Sequence, residues 1–422
     1  MVNIKKHLSS ELGRGTIVLF VMMNIYFFFS FLFHFIMARQ LGPADYGVLA
    51  VLFSLMYIYG VPTEALQNLV ARYTAKFNLK KQDGKIKNLM LRGLKKGFIV
   101  SIFLFGVGII LAEILAYFLP INFWLFVLAN VMIFGSFSLP VVRGVLQGRK
   151  KFSLLGYGMI TESVLKLLIA VVFVYLGFGV FGAMYGAIFS VLIGFIVSFE
   201  FNGKILKSKE KKADFEDARL ESVPYFISMF VILLMFGIDV ILAKRFFSAE
   251  KAGQYAVLSM LGKMIYFGTM SISKVMFPLS SEKYDKNENP LLIFKKTFLV
   301  ITGLCVAAIL LYFLFPELIV GILYGTKYLS VAPFLIYSAI AFSLLAMSNF
   351  IFLYKLSIGG LKKSYFLFTY LIIEITLLSI FRNSIKEYII AFMVSNIIMF
   401  IGSLFLLRTA KHEQIKHNNS RV

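Results

Sequence analysis

The sequence has few of the residues that build disulfides, metal centres or nucleotide-binding sites. Its one cysteine, Cys305, lies in an apolar run, which excludes a disulfide framework and a thiolate metal site. The four histidines stand at positions 7, 34, 412 and 417, too scattered for a metal-ligand cluster. There is no P-loop, and no G-x-G-x-x-G motif follows a strand pattern. We therefore expect no metal, no cofactor and no energy from nucleotide hydrolysis by this chain.

Acidic residues are also scarce, with 21 Asp and Glu against 43 Lys and Arg, a net charge of +22. In a soluble protein this excess would suggest binding to nucleic acid. Hydrophobic residues, however, make up 59% of the chain, and apolar runs of about 20 residues recur, each long enough to cross a hydrocarbon core. We therefore predict an all-α polytopic protein of the cell membrane, in contact with membrane lipids and not with nucleic acid.

The charged residues support a count of twelve spans with both termini in the cytoplasm. If the connections lie alternately inside and outside, 34 Lys and Arg fall inside and seven outside, with Lys166 and Lys263 inside spans. Cytoplasmic loops of membrane proteins carry such an excess of Lys and Arg. No large soluble domain fits between the predicted spans, which cover 16–37, 46–70, 97–119, 122–145, 153–176, 180–201, 221–243, 253–277, 291–315, 330–354, 364–381 and 388–407.

A weak internal repeat begins at a short polar turn near the N-terminus. The residues Leu41-Gly42-Pro43 are expected to break a helix, because Pro lacks an N–H and Gly loses the most entropy in a helix. A fainter copy of the residues from Ala38 onward starts 205 positions later, at Ala243. Since that distance is half the chain, we interpret the sequence as two homologous halves.

A second part of the repeat places a carboxylate in each half. A turn of glycine and basic residues precedes Glu162 in one half and Glu374, 212 positions later, in the other. Each carboxylate follows its turn by about eleven residues, a rise of about 16 Å in a helix and hence close to the bilayer midplane. Six spans per half give both copies the same orientation. The predicted domains are an N-terminal six-helix bundle, a cytoplasmic linker that is solvated, and a C-terminal six-helix bundle, at 1–205, 206–219 and 220–422.

Short motifs add a family resemblance to this repeat. They are Ala38-Arg39-x-Leu41-Gly42-Pro43-x-x-Tyr46-Gly47, Gly144-Val145-Leu146-Gln147-Gly148-x-x-x-Phe152, and Asp239 followed by Gly253-x-Tyr255. With the span count, they resemble the polysaccharide-exporter flippases, which include the O-antigen and lipid-linked-oligosaccharide flippases. That family belongs to the multidrug/oligosaccharidyl-lipid/polysaccharide exporter superfamily, together with the multidrug and toxin extrusion antiporters.

The resemblance implies a fold, a cargo and a mechanism. It implies two six-helix bundles around a central cavity, which opens to either side of the membrane as the bundles rock. The implied cargo is a polyprenyl-phosphate- or polyprenyl-pyrophosphate-linked oligosaccharide, moved from the cytoplasmic to the outer leaflet for surface polysaccharide biosynthesis. We expect a monomer, with transport coupled to Na⁺ or H⁺.

Cations within or beside the spans are the candidates for contact with the cargo phosphates. An ionisable group inside a span is costly unless it faces a polar cavity. Lys263, near the midplane of the eighth span, is our first candidate; a Lys paired with a carboxylate is the alternative. The remaining candidates lie at the ends of spans, where they can instead bind lipid headgroups or set topology: Arg39, Lys244, Arg245, Arg72 and Lys274.

Carboxylates in the spans are the candidates for ion coupling. Glu64 follows a proline, which frees a backbone carbonyl that can help to bind a cation. Asp239 lies in the seventh span and has Lys244 as an alternative partner. Glu374 lacks a basic residue four positions later, whereas Glu162 has Lys166 there, and we expect Glu162 and Lys166 to pair directly.

Two other functions stay open. A drug antiporter of the same superfamily needs an acidic pocket for cationic drugs, whereas the basic excess favours an anionic cargo. A membrane glycan polymerase or ligase usually carries acidic or His residues on a sizeable outer loop. The predicted outer connections 117–122 and 177–180 are short and contain no acidic residue or His, which argues against an enzyme.

Overall fold

The chain folds into helices that form two compact units. The computed structural model describes residues 11–58, 60–213, 223–285, 288–358 and 366–419, and all regular structure in them is helical. The units comprise Met1–Arg219 and Leu220–Val422. The all-α fold class predicted from the apolar runs is confirmed.

The first unit is built on two groups of packed helices. Helix α5 lies against α6 and α1, and α4 lies against α3 and α2. A π-helical turn, Val174–Phe178, joins α5 to α6. The helices are α1 Glu11–Ile58, α2 Gly60–Leu79, α3 Asp83–Phe118, α4 Phe123–Gly148, α5 Phe152–Phe173, α6 Gly179–Glu200 and α7 Gly203–Leu206.

The second unit is centred on α12, which packs against α9, α10 and α14. A Cβ atom on Gly262 of α9 would overlap the Phe342 ring of α12, so the two helices approach closely at this glycine. A 3₁₀ segment, Thr326–Phe334, precedes α12. The helices are α8 Val223–Phe246, α9 Ala249–Asp285, α10 Leu291–Leu314, α11 Pro316–Leu323, α12 Leu335–Ser357, α13 Leu367–Ile380 and α14 Ile385–Asn419.

The helix break predicted at Leu41-Gly42-Pro43 is confirmed. Gly42 has φ 76° and ψ 176° inside α1, so it separates two helical arms. This region of backbone conformation is essentially restricted to glycine. The π-helical turn likewise has positive φ at Gly177 (91°), and Gly179 after it has φ 52°.

Nine helical segments of the described residues are long and apolar enough to cross a membrane. Two of them, Val21–Leu79 with 59 residues and Phe152–Glu200 with 49, are each long enough for two of the predicted spans. They contain the breaks at Gly42 and Gly177. Leu367–Ile380 is a shorter apolar helix at the eleventh predicted span. The protein is therefore a multi-pass membrane protein, while the count of twelve crossings stays a prediction.

The first part of the predicted linker is hydrogen-bonded to α3 of the first unit, while residues 209–212 stay exposed to solvent. Lys87 on α3 donates to the carbonyl oxygens of Leu206 and Ser208, at 2.6 and 3.1 Å. The Asn88 amide donates to Glu210 at 2.5 Å and accepts from the backbone N–H of Ala213 at 3.1 Å. These contacts satisfy backbone groups of residues 206–213, so this segment belongs to the first unit; residues 214–219 lie outside the described part.

Candidate functional site

The second unit contains a buried group of charged and hydroxyl side chains between α8 and α9. One carboxylate oxygen of Asp239 accepts hydrogen bonds from the Tyr255 hydroxyl at 3.1 Å and the Ser259 hydroxyl at 2.6 Å. The other lies 3.8 Å from the Lys263 ammonium nitrogen. Asp239 is fully buried and Lys263 is 2% exposed. Asp239 and Lys263, which the sequence analysis considered for separate roles, therefore form an ion pair.

The spacing of residues along α9 creates this arrangement. Tyr255, Ser259 and Lys263 follow one another at intervals of four, so they lie on one helix face. That face packs against α8, which supplies Asp239 and also Phe236, whose ring centroid is 4.9 Å from the Lys263 ammonium. From α14, the Tyr388 hydroxyl donates to the Asp239 backbone carbonyl at 2.7 Å.

Glu374 brings a second carboxylate into electrostatic contact with this pair. It lies on α13, is fully buried, and interacts with both Asp239 and Lys263. Neither of its carboxylate oxygens accepts a hydrogen bond from the described residues. The neighbouring Ser395 hydroxyl donates instead to the carbonyl of Phe392 at 2.8 Å.

Asp239, Lys263 and Glu374, the acidic cluster from here on, contain two carboxylates and one ammonium. A buried charge is stable only when it is paired or neutralised. Within these three residues the carboxylates outnumber the ammonium by one. The structure brings together two of the three predicted ion-coupling residues, Asp239 and Glu374, whereas Glu64 is half-buried on α2 of the first unit.

The phosphate role predicted for Lys263 stays a prediction, and in this conformation Lys263 is enclosed. A phosphate can reach the ammonium only after the Asp239–Lys263 pair opens.

The remaining predicted cations lie outside the acidic cluster. Arg39, Arg72 and Arg245 are exposed, as expected of groups that meet lipid or cargo at a membrane surface. Lys244 differs, because its side chain is only 3% exposed and so does not present its charge at the end of α8. The backbone of Lys274 lies in α9, and its side chain is outside the described residues.

The first unit contains a different buried ion pair from the one expected. Glu162 pairs with Arg143 of α4 at 2.5 Å, and not with Lys166. The prediction of a Glu162–Lys166 pair is wrong, because α4 places a guanidinium closer to the carboxylate than the Lys one turn away. Lys166 instead approaches α1, with its ammonium 3.4 Å from the Ser30 hydroxyl and 5.0 Å from the Phe33 ring centroid.

The sequence reasoning missed Arg143 as the partner of Glu162, because Arg143 was one of the 34 inside Lys and Arg that were used only to predict topology. A signal was nevertheless present. Lys355 stands 212 positions after Arg143, the same distance that separates Glu162 from Glu374. The repeat therefore places a basic residue before each of the two buried glutamates.

Comparison with protein families finds one match. The sequence profile of the polysaccharide biosynthesis protein family matches residues 36–333, which is more than half of the chain. The matched range includes Asp239 and Lys263 of the acidic cluster, as well as Arg143, Glu162 and Lys166. A sequence comparison with curated proteins found no match.

Comparison with solved structures finds transporters of similar fold. A multidrug resistance MATE family transporter of the MOP superfamily in its inward-facing conformation has a TM-score of 0.71 at 16% identity, covering 95% of this chain and 99% of its own. A multidrug resistance MATE family transporter in its outward-facing conformation has a TM-score of 0.68 at 17% identity, and the match covers 95% of this chain and 96% of its own. A MOP superfamily transporter from Pyrococcus furiosus, described as having a binding pocket of reverse polarity, has a TM-score of 0.63 at 16% identity. The match covers 94% of this chain and 95% of that transporter. At these identities the likeness shows the fold.

Proposed function

Because the chain belongs to the polysaccharide biosynthesis protein family, we propose that it is a flippase for a polyprenyl-phosphate- or polyprenyl-pyrophosphate-linked oligosaccharide. It would move this lipid from the cytoplasmic to the outer leaflet by alternating access. The family match on a chain with a MATE-like transporter fold carries this proposal. The family supports the polysaccharide cargo, and the fold supports transport.

The short connections favour transport over glycan polymerisation or ligation. Four residues join α3 to α4, and the π-helical turn of five residues joins α5 to α6. Such connections leave no space for a catalytic loop between these helices. Within the described residues, the buried charges are enclosed by helices instead.

We assign ion coupling to the acidic cluster. Its surplus carboxylate calls for a bound H⁺ or Na⁺, and binding of that cation would change the balance of charge around Lys263. Lys263 then serves as the charge partner of Asp239, and contact with cargo phosphate requires their pair to open. Glu64 remains a second candidate for coupling, by its place in the sequence alone.

A drug antiporter is the second candidate function, and the acidic cluster is the observation that favours it. Two buried carboxylates are also the groups that a cationic drug would need. Transport of a lipophilic cation such as ethidium, with no effect of the protein on lipid-linked sugars, would support this function over the flippase.

Loss of the gene in its own host tests the flippase directly. We expect lipid-linked oligosaccharide to accumulate on the cytoplasmic side and surface polysaccharide to disappear, with both restored by the wild-type gene. The Lys263→Ala variant should insert into the membrane and fail to restore export, because Asp239 then lacks its charge partner.

Two results bear on the proposal separately. Lys327→Ala, at an exposed position outside the cluster, is the matched control and should restore export fully. Normal surface polysaccharide in the deletion strain would contradict the flippase function, whereas full export by Lys263→Ala would contradict only the role given to Lys263.

A further inference from the structure

Lys166 is a cation inside the first unit that interacts electrostatically with Glu162 but forms no ion pair within 4 Å among the described residues. Its ammonium lies 3.4 Å from the Ser30 hydroxyl and 5.0 and 5.8 Å from the ring centroids of Phe33 and Phe53. No carboxylate oxygen of the described part of the chain lies within 4 Å of it. The side chain is half-buried and therefore accessible in part, unlike Lys263.

The partners of Lys166 hold its ammonium without cancelling the charge. Aromatic faces and a hydroxyl attract a cation through their quadrupole or dipole, and neither carries a compensating negative charge. The carboxylate that could neutralise Lys166 is Glu162, one helical turn before it. Arg143 holds that carboxylate. The group Arg143, Glu162 and Lys166 thus has a surplus positive charge.

Hydroxyl groups lie beside this charge. Tyr26 and Ser30 are separated by four residues on α1, so their side chains share one face of the helix, and the two hydroxyls interact. Tyr26 also interacts electrostatically with Glu162 and Arg143. An ammonium and two rotatable hydroxyls are the donors that phosphate oxygens require.

The second unit lacks this arrangement at the matching positions. The residue 212 positions after Lys166 is Leu378, which is fully buried, while Glu374 matches Glu162. The acidic cluster there has surplus negative charge. At the matching positions the two units thus differ, because Glu162 is followed by Lys166 one turn later and Glu374 by Leu378.

From these contacts we infer that Lys166, with the Tyr26 and Ser30 hydroxyls, forms a binding site for a phosphate or diphosphate group. The inference rests on the proposed function and deepens it, since it assigns the anionic head of the carried lipid to the first unit. The acidic cluster of the second unit is left for the coupling cation. Arg143 is a positioning residue, because it holds the Glu162 carboxylate in an ion pair.

Binding of geranylgeranyl diphosphate to the purified protein tests the site. The full chain is placed in nanodiscs of phosphatidylcholine, which contribute no anionic headgroup, and affinity is measured by thermophoresis. We expect saturable binding of the diphosphate and none of uncharged geranylgeraniol. Competition by inorganic diphosphate would show that the free anion is sufficient for binding. Competition by phosphatidylglycerol would show that a lipid headgroup binds. If neither competes, the site requires the prenylated diphosphate. Each is a source of the same phosphate chemistry.

Variants of Lys166 identify the residue that binds the anion. Lys166→Met should weaken binding about tenfold or more, because one charge-assisted contact is lost. Lys166→Arg keeps the charge and should retain most of the affinity. Lys327→Met, at an exposed position outside both buried groups, is the matched control and should bind with wild-type affinity. Wild-type affinity of a monodisperse Lys166→Met protein would overturn the inference.

The positioning role of Arg143 gives a second test that does not remove Lys166. Arg143→Met releases Glu162, which can then pair with Lys166 four residues later and weaken diphosphate binding. Adding Glu162→Gln should restore the affinity, an outcome that general damage to the fold would not give. If Glu162→Gln does not restore diphosphate affinity and Lys166→Met also leaves the affinity unchanged, the proposed site is ruled out. Polysaccharide export by the wild type would then still stand as evidence for the flippase function, so the two failures are distinguishable.

Discussion

At the scale of single residues, the buried charges are arranged by which neighbouring helix supplies a partner. The apolar runs placed Asp239 and Lys263 inside predicted spans, and both residues lie in helices that are long and apolar enough to cross a membrane. Spacing along one helix predicted the wrong partner for Glu162, because a spacing of four residues gives proximity but does not rank competitors from other helices. Arg143 and not Lys166 pairs with Glu162, and this is evident only from the packing of α4 against α5. Lys263 pairs with Asp239 for the same reason, because α9 packs against α8.

Removing Lys263 should destabilise the second unit more than removing the whole pair. In Lys263→Met, Asp239 and Glu374 are left as two buried carboxylates without an ammonium, at a cost of about 3–5 kcal/mol. Lys263→Met combined with Asp239→Asn removes one of these charges and should recover about 1–3 kcal/mol. Thermal unfolding of the detergent-purified variants measures both effects.

The exposed Lys327→Met serves as the control for this comparison, since substitutions at such positions change stability by no more than about 0.5 kcal/mol. A double variant that unfolds at a lower temperature than Lys263→Met would contradict the ion pair.

At the scale of helices, the break at Leu41-Gly42-Pro43 was predicted correctly, whereas the contacts of the polar segment after α6 were not predicted. The break at Gly42 follows from local backbone chemistry, so the sequence alone suffices to place it. The docking of residues 206–213 depends on Asn88 and Lys87, which lie more than a hundred positions earlier in the chain. Composition indicated only that this segment is polar and charged, and could not show which helix it contacts.

Substitution of Gly42 by alanine should strain the break in α1. A non-glycine residue at φ 76°, ψ 176° costs about 1–3 kcal/mol. The space around Gly42 is open, since a Cβ atom at this position would have no neighbouring atom within 4 Å, so the backbone and not a clash is responsible. We expect a lower midpoint of thermal unfolding for Gly42→Ala.

Gly106→Ala is the matched control for this substitution. Gly106 also has open space around it but lies inside α3, where alanine gains about 1 kcal/mol in helix propensity. Equal effects of the two substitutions would argue against the helix break as the cause.

Removal of the Asn88 side chain should release the docked segment from α3. Asn88→Ala loses the hydrogen bonds to Glu210 and to the backbone N–H of Ala213. Lys209 and Lys211 in this segment are exposed, so trypsin should cut there faster than in the wild type. Lys96→Ala, at an exposed position on the same helix, is the control. Identical cleavage rates for Asn88→Ala and the wild type would show that these hydrogen bonds do not hold the segment.

At the scale of the whole molecule, hydropathy and charge were sufficient for the fold class and the multi-pass character. The internal repeat also located the two buried glutamates. Neither property determines the number of crossings or the side on which the termini lie, and both stay predictions. The partner of each buried glutamate was beyond the sequence, because it depends on which cation lies nearest to it in the packed structure.

Transport by the purified protein in liposomes tests the account most directly. The probe is a fluorescent short-chain polyprenyl-diphosphate-linked N-acetylglucosamine, and quenching by an impermeant reductant reports the leaflet in which it lies. We predict movement between leaflets that depends on an imposed H⁺ or Na⁺ gradient in the wild type and loses that dependence in Asp239→Asn. A probe that stays in its original leaflet while ethidium is transported would contradict the account.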